Sequence, residues 1–271
     1  VLLAENPGNY TGWKTNHDGK LLIAMATDGV NKTLLYRPSE KDSFNKVLTT
    51  NFKENVQPLF FDFKDSTLLY ALSNLNRDKA AIVKLDLNTG KEKELIYEHP
   101  EVDVSYMAFS RKRKVPTTIS YITWKKEYVF VDKTAEDIYK RLEKELKNVE
   151  IVLTSTNREE NKFIVRTFSD RSLGSFYYYD TENDEVHKIA NVSPWLQEEN
   201  LAEVKPIVYK SRDGLTINGY LTLPVGVEAK NLPLVVNPHG GPWARDVWTF
   251  NPEVQFLANR GYAVLQMNFR G

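Results

Sequence analysis

The sequence predicts a mostly-β chain, in which about four blades of an incomplete β-propeller precede the first part of an α/β domain. Two observations lead to this class. A pattern of short strands and polar turns recurs at a spacing of about 47 residues over the first 200 residues. After about residue 200 the pattern changes to strand, loop, helix and strand, which is the order of a βαβ unit.

The repeat is clearest in residues 16–50 and 61–97, where polar turns separate short apolar strands. A third copy begins at residue 104, and a fourth covers residues 150–190. Aromatic and β-branched strands separated by Asp, Asn and Gly turns are typical of four-stranded propeller blades. We therefore assign residues 1–200 to propeller blades.

One segment of the third copy does not follow the strand pattern. In residues 134–147, Ile138, Leu142 and Leu146 recur every four residues, and charged residues occupy the positions between them. This spacing predicts an amphipathic helix inserted in the third blade. The helix either covers a blade edge or, as the alternative, binds a partner.

The region assigned to the second domain, residues 201–271, follows a polar segment that contains prolines. Two strands joined by a turn at residues 212–214 come first, and the apolar run 232–237 predicts a buried strand of a parallel sheet. Asn251 and Pro252 predict the start of a helix, which ends at Gly261. Its apolar positions are Val254, Phe256, Leu257 and Ala258, and a further strand follows the helix.

The segments SRDGLTINGYLTLP, HGGPW and NFRG resemble the prolyl oligopeptidase family of serine peptidases, and most closely its acylaminoacyl-peptidase branch. The resemblance extends over nearly the whole chain and is most specific after Tyr209. It implies a seven-bladed propeller stacked on an α/β-hydrolase domain. It also implies hydrolysis of short peptides through an acyl-enzyme, with the propeller excluding folded proteins.

The resemblance also implies roles for the HGGPW segment, which follows a sheet strand. In α/β-hydrolases this loop supplies a backbone N–H that binds the oxyanion of the tetrahedral intermediate. Gly241 is the expected donor, and Gly240 is expected to shape the turn. His239 either supports the loop or contacts substrate, because the catalytic histidine of this fold follows the nucleophile in the chain. Trp243 is a candidate substrate contact, with wall packing as the simpler role.

The nucleophile motif G-x-S-x-G does not occur in the 271 residues. The catalytic serine, and the aspartate and histidine that follow it in this fold, are therefore expected outside the sequence. On this interpretation the chain is a fragment of a longer serine peptidase and is inactive by itself.

Composition limits the remaining function classes. There are no cysteines, and the 36 basic and 36 acidic residues balance, so we expect no thiolate metal site and no nucleic-acid partner. His17, His99 and His187 lack the spacing of metal ligands, and neither a metal nor another cofactor is expected. No apolar stretch is long enough to span a membrane, which predicts a soluble chain of the cytoplasm or the periplasm. The expected partner is a peptide substrate, and unpaired strand edges predict self-association.

Two other functions remain compatible with these patterns. One is a propeller that binds peptides or a protein partner and carries a hydrolase remnant without chemistry. The other is an esterase of the same fold, which an HGGP loop alone does not distinguish from a peptidase. The choice among acylated, dipeptide-blocked and proline-containing substrates is left open by the sequence.

Overall fold

The computed structural model describes residues 2–241 and 244–269. The chain divides into two compact units, the first comprising Val1–Thr123 with Glu127–Lys133 and the second comprising Trp124–Lys126 with Thr134–Gly271. The three-residue segment Trp124–Lys126 therefore belongs with the later part of the chain. A domain boundary near residue 200 stays a prediction.

The first unit consists of antiparallel sheets in which consecutive strands are neighbours. The first sheet has the order β1 (Tyr10–Thr15), β2 (Leu21–Thr27), β3 (Lys32–Tyr36) and β4 (Asn45–Thr50). The second has the order β5 (Val56–Phe61), β6 (Leu68–Ser73), β7 (Ala81–Asp86) and β8 (Glu92–Tyr97). The third contains β9 (Val104–Ser110), β10 (Val115–Ile122) and β11 (Lys126–Phe130). These meanders agree with the repeats predicted from the sequence.

Apolar side chains pack the three sheets against one another. Ile23 of β2 lies in one cluster with Leu69 and Leu85 of the second sheet, and none of the three is exposed. Ile82 of the second sheet packs in a further cluster with Ile119 of the third. Buried aliphatic side chains therefore join each sheet to the next, which is how propeller blades stabilise one another.

The third sheet departs from the four-stranded blade expected from the repeat. After β11 the chain enters α1 (Lys133–Glu145), and the described part of this sheet has three strands. The helix packs on the fourth sheet, formed by β12 (Glu150–Thr156), β13 (Lys162–Phe168), β14 (Ser175–Asp180) and β15 (Glu185–Asn191). Leu142 and Leu146 belong to one buried cluster with Val165 and Tyr179 of that sheet. The predicted amphipathic helix is thus present, but its apolar side belongs to the fourth sheet.

The predicted change of architecture occurs at β16 (Val204–Lys210). This strand forms a mixed sheet with β17 (Thr216–Thr222), β18 (Leu234–Val236) and β19 (Ala263–Met267), in the order β16-β17-β19-β18. Among the described strands of this sheet, the β18–β19 pair is parallel and the other two pairs are antiparallel. At Gly219 in β17 an added Cβ would lie 2.5 Å from the carbonyl oxygen of Gln266, so glycine permits the close approach of β19.

Of the two expectations for this sheet, one held in part and one was wrong. Unpaired strand edges were expected, and β18 is an edge strand of the described sheet, whereas β19 pairs with β17 on one side and with β18 on the other. β18 was expected to be covered on both faces, yet Leu234 and Val236 are 54% and 48% exposed. Exposure alternates along β18 because it is the last described strand of the sheet. Val235 lies on its less exposed side, and Leu234 and Val236 lie on the other.

Helix α2 (Pro252–Asn259) connects the loop after β18 to β19. The side chain of Asn251 accepts hydrogen bonds from the backbone N–H groups of Glu253 (3.0 Å) and Val254 (3.2 Å), as the predicted cap requires. Phe256 was expected to be a buried apolar position, but it is 57% exposed and lies under the guanidinium of Arg260. Gln255, at 4% exposed, takes the buried position instead.

Gln255 is buried because its amide joins three segments of the second unit. Its Nε2 donates to the carbonyl oxygens of Asp170 (3.0 Å) and Ala202 (2.8 Å), and its Oε1 accepts from the N–H of Ala202 (2.9 Å). The carboxylate of Asp170 accepts from the N–H of Val204 (2.8 Å). We call Asp170, Ala202, Val204 and Gln255 the Gln255 network; it fixes the fourth sheet to the start of β16 and to α2.

Within residues 2–241 and 244–269, no helix combines the length and the apolar character needed to cross a membrane.

Candidate functional site

The β18–α2 loop, residues 237–251, contains the HGGPW segment. It leaves the sheet at the carboxyl end of β18, beside the carboxyl end of the parallel strand β19. Asn237 keeps one further ladder bond, from its N–H to the carbonyl oxygen of Leu265 (2.8 Å). In open α/β sheets, ligands bind in the crevice at these carboxyl ends, so the loop begins where a site is expected.

Asp246 is the centre of the polar contacts that fix this loop. One carboxylate oxygen accepts from Nε2 of Gln266 (2.6 Å), a buried residue of β19. The backbone N–H of Asp246 donates to Oδ1 of Asn268 (2.7 Å), and its carbonyl oxygen accepts from Nδ2 of the same residue (3.2 Å). The loop is therefore tied to β19 and to the residue just beyond it.

The second carboxylate oxygen of Asp246 lies 3.0 Å from Nδ1 of His239. A carboxylate accepts hydrogen bonds, so Nδ1 of His239 carries a proton and donates the hydrogen bond to Asp246. The imidazole also meets the ring of Phe269 edge-on, at 5.9 Å between ring centres. His239 is thus held by contacts with Asp246 and with Phe269.

The two glycines after His239 are exposed. A Cβ added to Gly240 would meet no other atom within 4 Å, so open space lies beside this backbone. Trp243 lies outside the described residues, as does Arg270 of the NFRG segment. The described loop therefore presents exposed backbone at Gly240 and Gly241, beside an immobilised imidazole.

The side of the loop that follows Asp246 contacts a second set of aromatic residues. The Tyr220 side chain is fully buried in β17, and its hydroxyl donates to the carbonyl oxygen of Trp124 (2.6 Å). The indole of Trp124 meets the Tyr220 ring edge-on at 6.1 Å between ring centres. Nζ of Lys125 lies 3.5 Å from the centre of the Trp248 ring, within the range of a cation–π interaction.

Burial raises the pKa of Tyr220, and the nearby guanidinium of Arg245 partly opposes this effect. The phenol therefore stays protonated at neutral pH and keeps its role as a hydrogen-bond donor. Asp246, Gln266, Asn268, Tyr220, Trp124 and Lys125 were not singled out by the sequence analysis.

The other histidines have local roles. Nδ1 of His99 accepts from the N–H groups of Glu101 (3.1 Å) and Val102 (3.3 Å), and His187 pairs with Glu185 on the surface. His17 contacts residues distant in the chain, because its Nε2 hydrogen-bonds the carbonyl oxygen of Phe61 (2.7 Å) and its ring stacks on Phe63. Across the described residues, no group of three or more His, Asp or Glu side chains is arranged to hold a metal ion.

Curated proteins related to this chain are peptidases by name. The chain is 30% identical over 214 residues to dipeptidyl aminopeptidase BIII of Pseudoxanthomonas mexicana, which covers 76% of this chain and 31% of that protein. It is 23% identical over 240 residues to dipeptidyl peptidase family member 6 of Caenorhabditis elegans, covering 81% and 32%. The chain thus spans about a third of the length of these relatives. No family model matches the sequence.

Solved structures share the fold at low sequence identity. A puromycin hydrolase aligns with a TM-score of 0.68 at 15% identity, covering 97% of this chain and 42% of that structure. One of two structurally analysed prolyl endopeptidases gives 0.70 at 15% identity, covering 100% and 40%. Oligopeptidase B from Trypanosoma brucei gives 0.67 at 14% identity, covering 100% and 40%.

These structures confirm the predicted fold class, propeller blades followed by the beginning of an α/β-hydrolase sheet. The relatives carry dipeptidyl peptidase names, so the acylaminoacyl-peptidase branch stays a prediction. Motifs, relatives and fold agree on the wider family, and the chain is related to the prolyl oligopeptidase family.

Proposed function

We propose that this chain supplies propeller blades and the oxyanion-binding loop of a serine peptidase that cleaves short peptides through an acyl-enzyme. The observation that carries the proposal is the β18–α2 loop, whose exposed glycines follow an imidazole fixed by Asp246. A backbone N–H held before substrate arrives stabilises developing negative charge without reorganisation of the loop. Gly241 is the proposed donor, Gly240 shapes the turn, and His239 holds the loop.

The nucleophile is proposed to be a serine outside this sequence, because the 271 residues contain no G-x-S-x-G. The chain alone would then bind no acyl group and would be inactive. A fluorophosphonate probe tests this directly when the full-length protein and this chain are treated side by side and the labelled peptide is found by mass spectrometry. Labelling of a serine after Gly271 in the full-length protein alone is expected. A folded full-length protein without label would support a binding module instead.

The role of Gly241 has its own test in the full-length protein. Gly241→Pro removes the backbone N–H, whereas the matched Gly241→Ala variant keeps it. Loss of one oxyanion donor lowers kcat by about 10²–10³-fold. We expect a fall of this size for the proline variant, a much smaller change for the alanine variant and similar KM values. Equal activity of the two variants would refute the donor role.

The substrate class is proposed from the relatives, whose names describe the release of dipeptides. Three chromogenic anilides separate the candidates: a dipeptide with a free amino terminus, an acetylated amino acid and a blocked Gly-Pro dipeptide. We expect the first to be cleaved fastest. A matching p-nitrophenyl ester distinguishes an esterase, since turnover of the ester without turnover of any anilide would contradict peptidase activity.

Self-association is proposed for the chain by itself. Within the described sheet β18 is an edge strand, and Leu234 and Val236 are about half exposed on it. Exposed apolar edge strands tend to pair with another chain. Light scattering over a range of concentrations should therefore show dimers or larger species, and a monomer at every concentration would contradict the proposal.

A further inference from the structure

We propose that Trp124 and Lys125 are positioning residues for the β18–α2 loop, acting on its Gly241 end through Tyr220 and Trp248. The inference rests on the proposed function of that loop. Neither residue lies in the HGGPW segment, and both precede it by more than a hundred positions in the chain.

The first contact involves the backbone of Trp124. Tyr220 is fully buried, and its hydroxyl has the carbonyl oxygen of Trp124 as its acceptor at 2.6 Å. A buried hydroxyl loses free energy when its acceptor moves away. This bond therefore restrains the position of the Trp124 carbonyl group as well as that of the Tyr220 hydroxyl. Trp124 is thereby attached to β17, the strand that pairs with β19.

The second contact lies within the loop itself. Nζ of Lys125 is 3.5 Å from the centre of the Trp248 ring, near the closest approach that an ammonium and an indole permit. Trp248 is partly buried, whereas Lys125 as a whole residue is exposed. The contribution of Lys125 is therefore a contact with the loop and does not come from burial in a core.

Both contacts converge on Asp246. Tyr220 lies opposite Gln266 in the β17–β19 pair, and Gln266 donates to the Asp246 carboxylate at 2.6 Å. Trp248 follows Asp246 by two residues, and Asp246 holds His239 next to the exposed glycines. The β18–α2 loop is therefore held by Gln266 of β19 and by Asn268 just beyond it, and Lys125 adds a contact at Trp248.

Substitutions at Lys125 separate positioning from folding, because this exposed side chain has no core to disturb. Lys125→Met keeps the length of the side chain and removes the charge, while Lys125→Arg keeps a cation that also stacks on indole. Lys53→Met is the matched control, since Lys53 lies 5.7 Å from the Phe52 ring at an exposed site of the first unit.

Hydrogen exchange of the loop amides is the primary measurement and requires no catalytic activity. Loss of a cation–π contact should raise the exchange rates of amides 239–241 and 244–250 about fivefold in Lys125→Met. Lys125→Arg should restore slow exchange, and Lys53→Met should leave it unchanged. Loop exchange in Lys125→Met equal to that of the unmodified chain would overturn the positioning role.

Turnover by the full-length protein is the second measurement. If the loop binds the oxyanion, Lys125→Met should lower kcat severalfold at an unchanged KM, with rescue by Lys125→Arg. Raised loop exchange with an unchanged kcat would overturn the link between Lys125 and the reaction. A full-length protein without any hydrolytic activity would refute the proposed function, and the exchange rates would still decide whether Lys125 positions the loop.

Discussion

Two polar networks hold the second unit together, and they differ in their access to water. In the Gln255 network the side chains of Gln255 and Asp170 each belong to residues only 4% exposed. In the network around Asp246, the side chains of Asp246 and His239 are 12% and 15% exposed. The first network joins the fourth sheet, the start of β16 and α2, while the second fixes the β18–α2 loop.

The difference in exposure indicates that the two networks have different roles. A buried polar network with its groups paired specifies one arrangement, because any rearrangement leaves unsatisfied groups in a region of low dielectric constant. Groups at the surface can exchange a protein partner for water or for a ligand at little cost. The Gln255 network thus suits a fixed connection, and the Asp246 network suits the loop for which oxyanion binding is proposed.

The largest expected effect is that of Gln255→Ala. The variant leaves the N–H and carbonyl of Ala202 and the carbonyl of Asp170 without their partner in a buried region. Each unsatisfied buried group costs about 1–3 kcal/mol, so we expect the free energy of unfolding to fall by about 3 kcal/mol or more. Urea titration measures this loss. The exposed Gln57→Ala is the control, and a similar small loss in both variants would contradict a structural joint at Gln255.

A smaller effect on stability is expected for Asp246→Asn. The amide keeps the shape of the side chain but loses the negative charge that faces His239 and Gln266. Charge-assisted hydrogen bonds at partly exposed sites contribute about 1–2 kcal/mol, and we expect a loss in this range. Limited proteolysis should cut the loop faster in this variant than in the exposed control Asp18→Asn. Equal cleavage rates would show that Asp246 does not order the loop.

The smallest expected effect concerns alkaline pH. Because burial raises the pKa of Tyr220 above the ordinary tyrosine value of about 10, the folded chain retains this proton longer than the unfolded chain. The resulting stability is fully present below that value and is lost as the pH rises toward the folded pKa. The difference in tyrosinate absorbance between the unmodified chain and Tyr220→Phe should therefore appear only above the pH range in which ordinary tyrosines ionise.

Burial also raises the pKa of Tyr121 to about 12, and this residue supplies a late-ionising signal that both chains share. The comparison therefore depends on the difference between the two titration curves. A difference that develops at about pH 10 would mean that the Tyr220 phenol is open to solvent, in disagreement with its burial.

The sequence was informative where structure depends on neighbours in the chain. Strand repeats, the Asn251 cap and the βαβ order were all read from local patterns, and the HGGPW segment located the loop. Apolar periodicity was less reliable for α2, because Phe256 is exposed and Gln255 is buried. An amide that satisfies three backbone groups can take a core position that hydrophobic patterning assigns to an apolar residue.

The partners of the loop could not be predicted, because they are distant in the chain. Gln266 and Asn268 lie 20 and 22 residues from Asp246, and Trp124 lies 96 residues before Tyr220. Only the spacing of seven residues between His239 and Asp246 was a local signal. The position of the loop was therefore accessible from a motif, whereas its supporting residues required the sheet order.

The Gln255 network has a consequence for protein engineering. A chimera that exchanged everything before residue 200 with a homologue would take Asp170 from one parent and Gln255 from the other. Two buried hydrogen bonds cross that boundary, from the N–H of Val204 to the Asp170 carboxylate and from Nε2 of Gln255 to the Asp170 carbonyl oxygen, and their partners would then come from different parents. Recombination libraries should therefore inherit the whole stretch from β12 to α2 from a single parent and place their crossover before it.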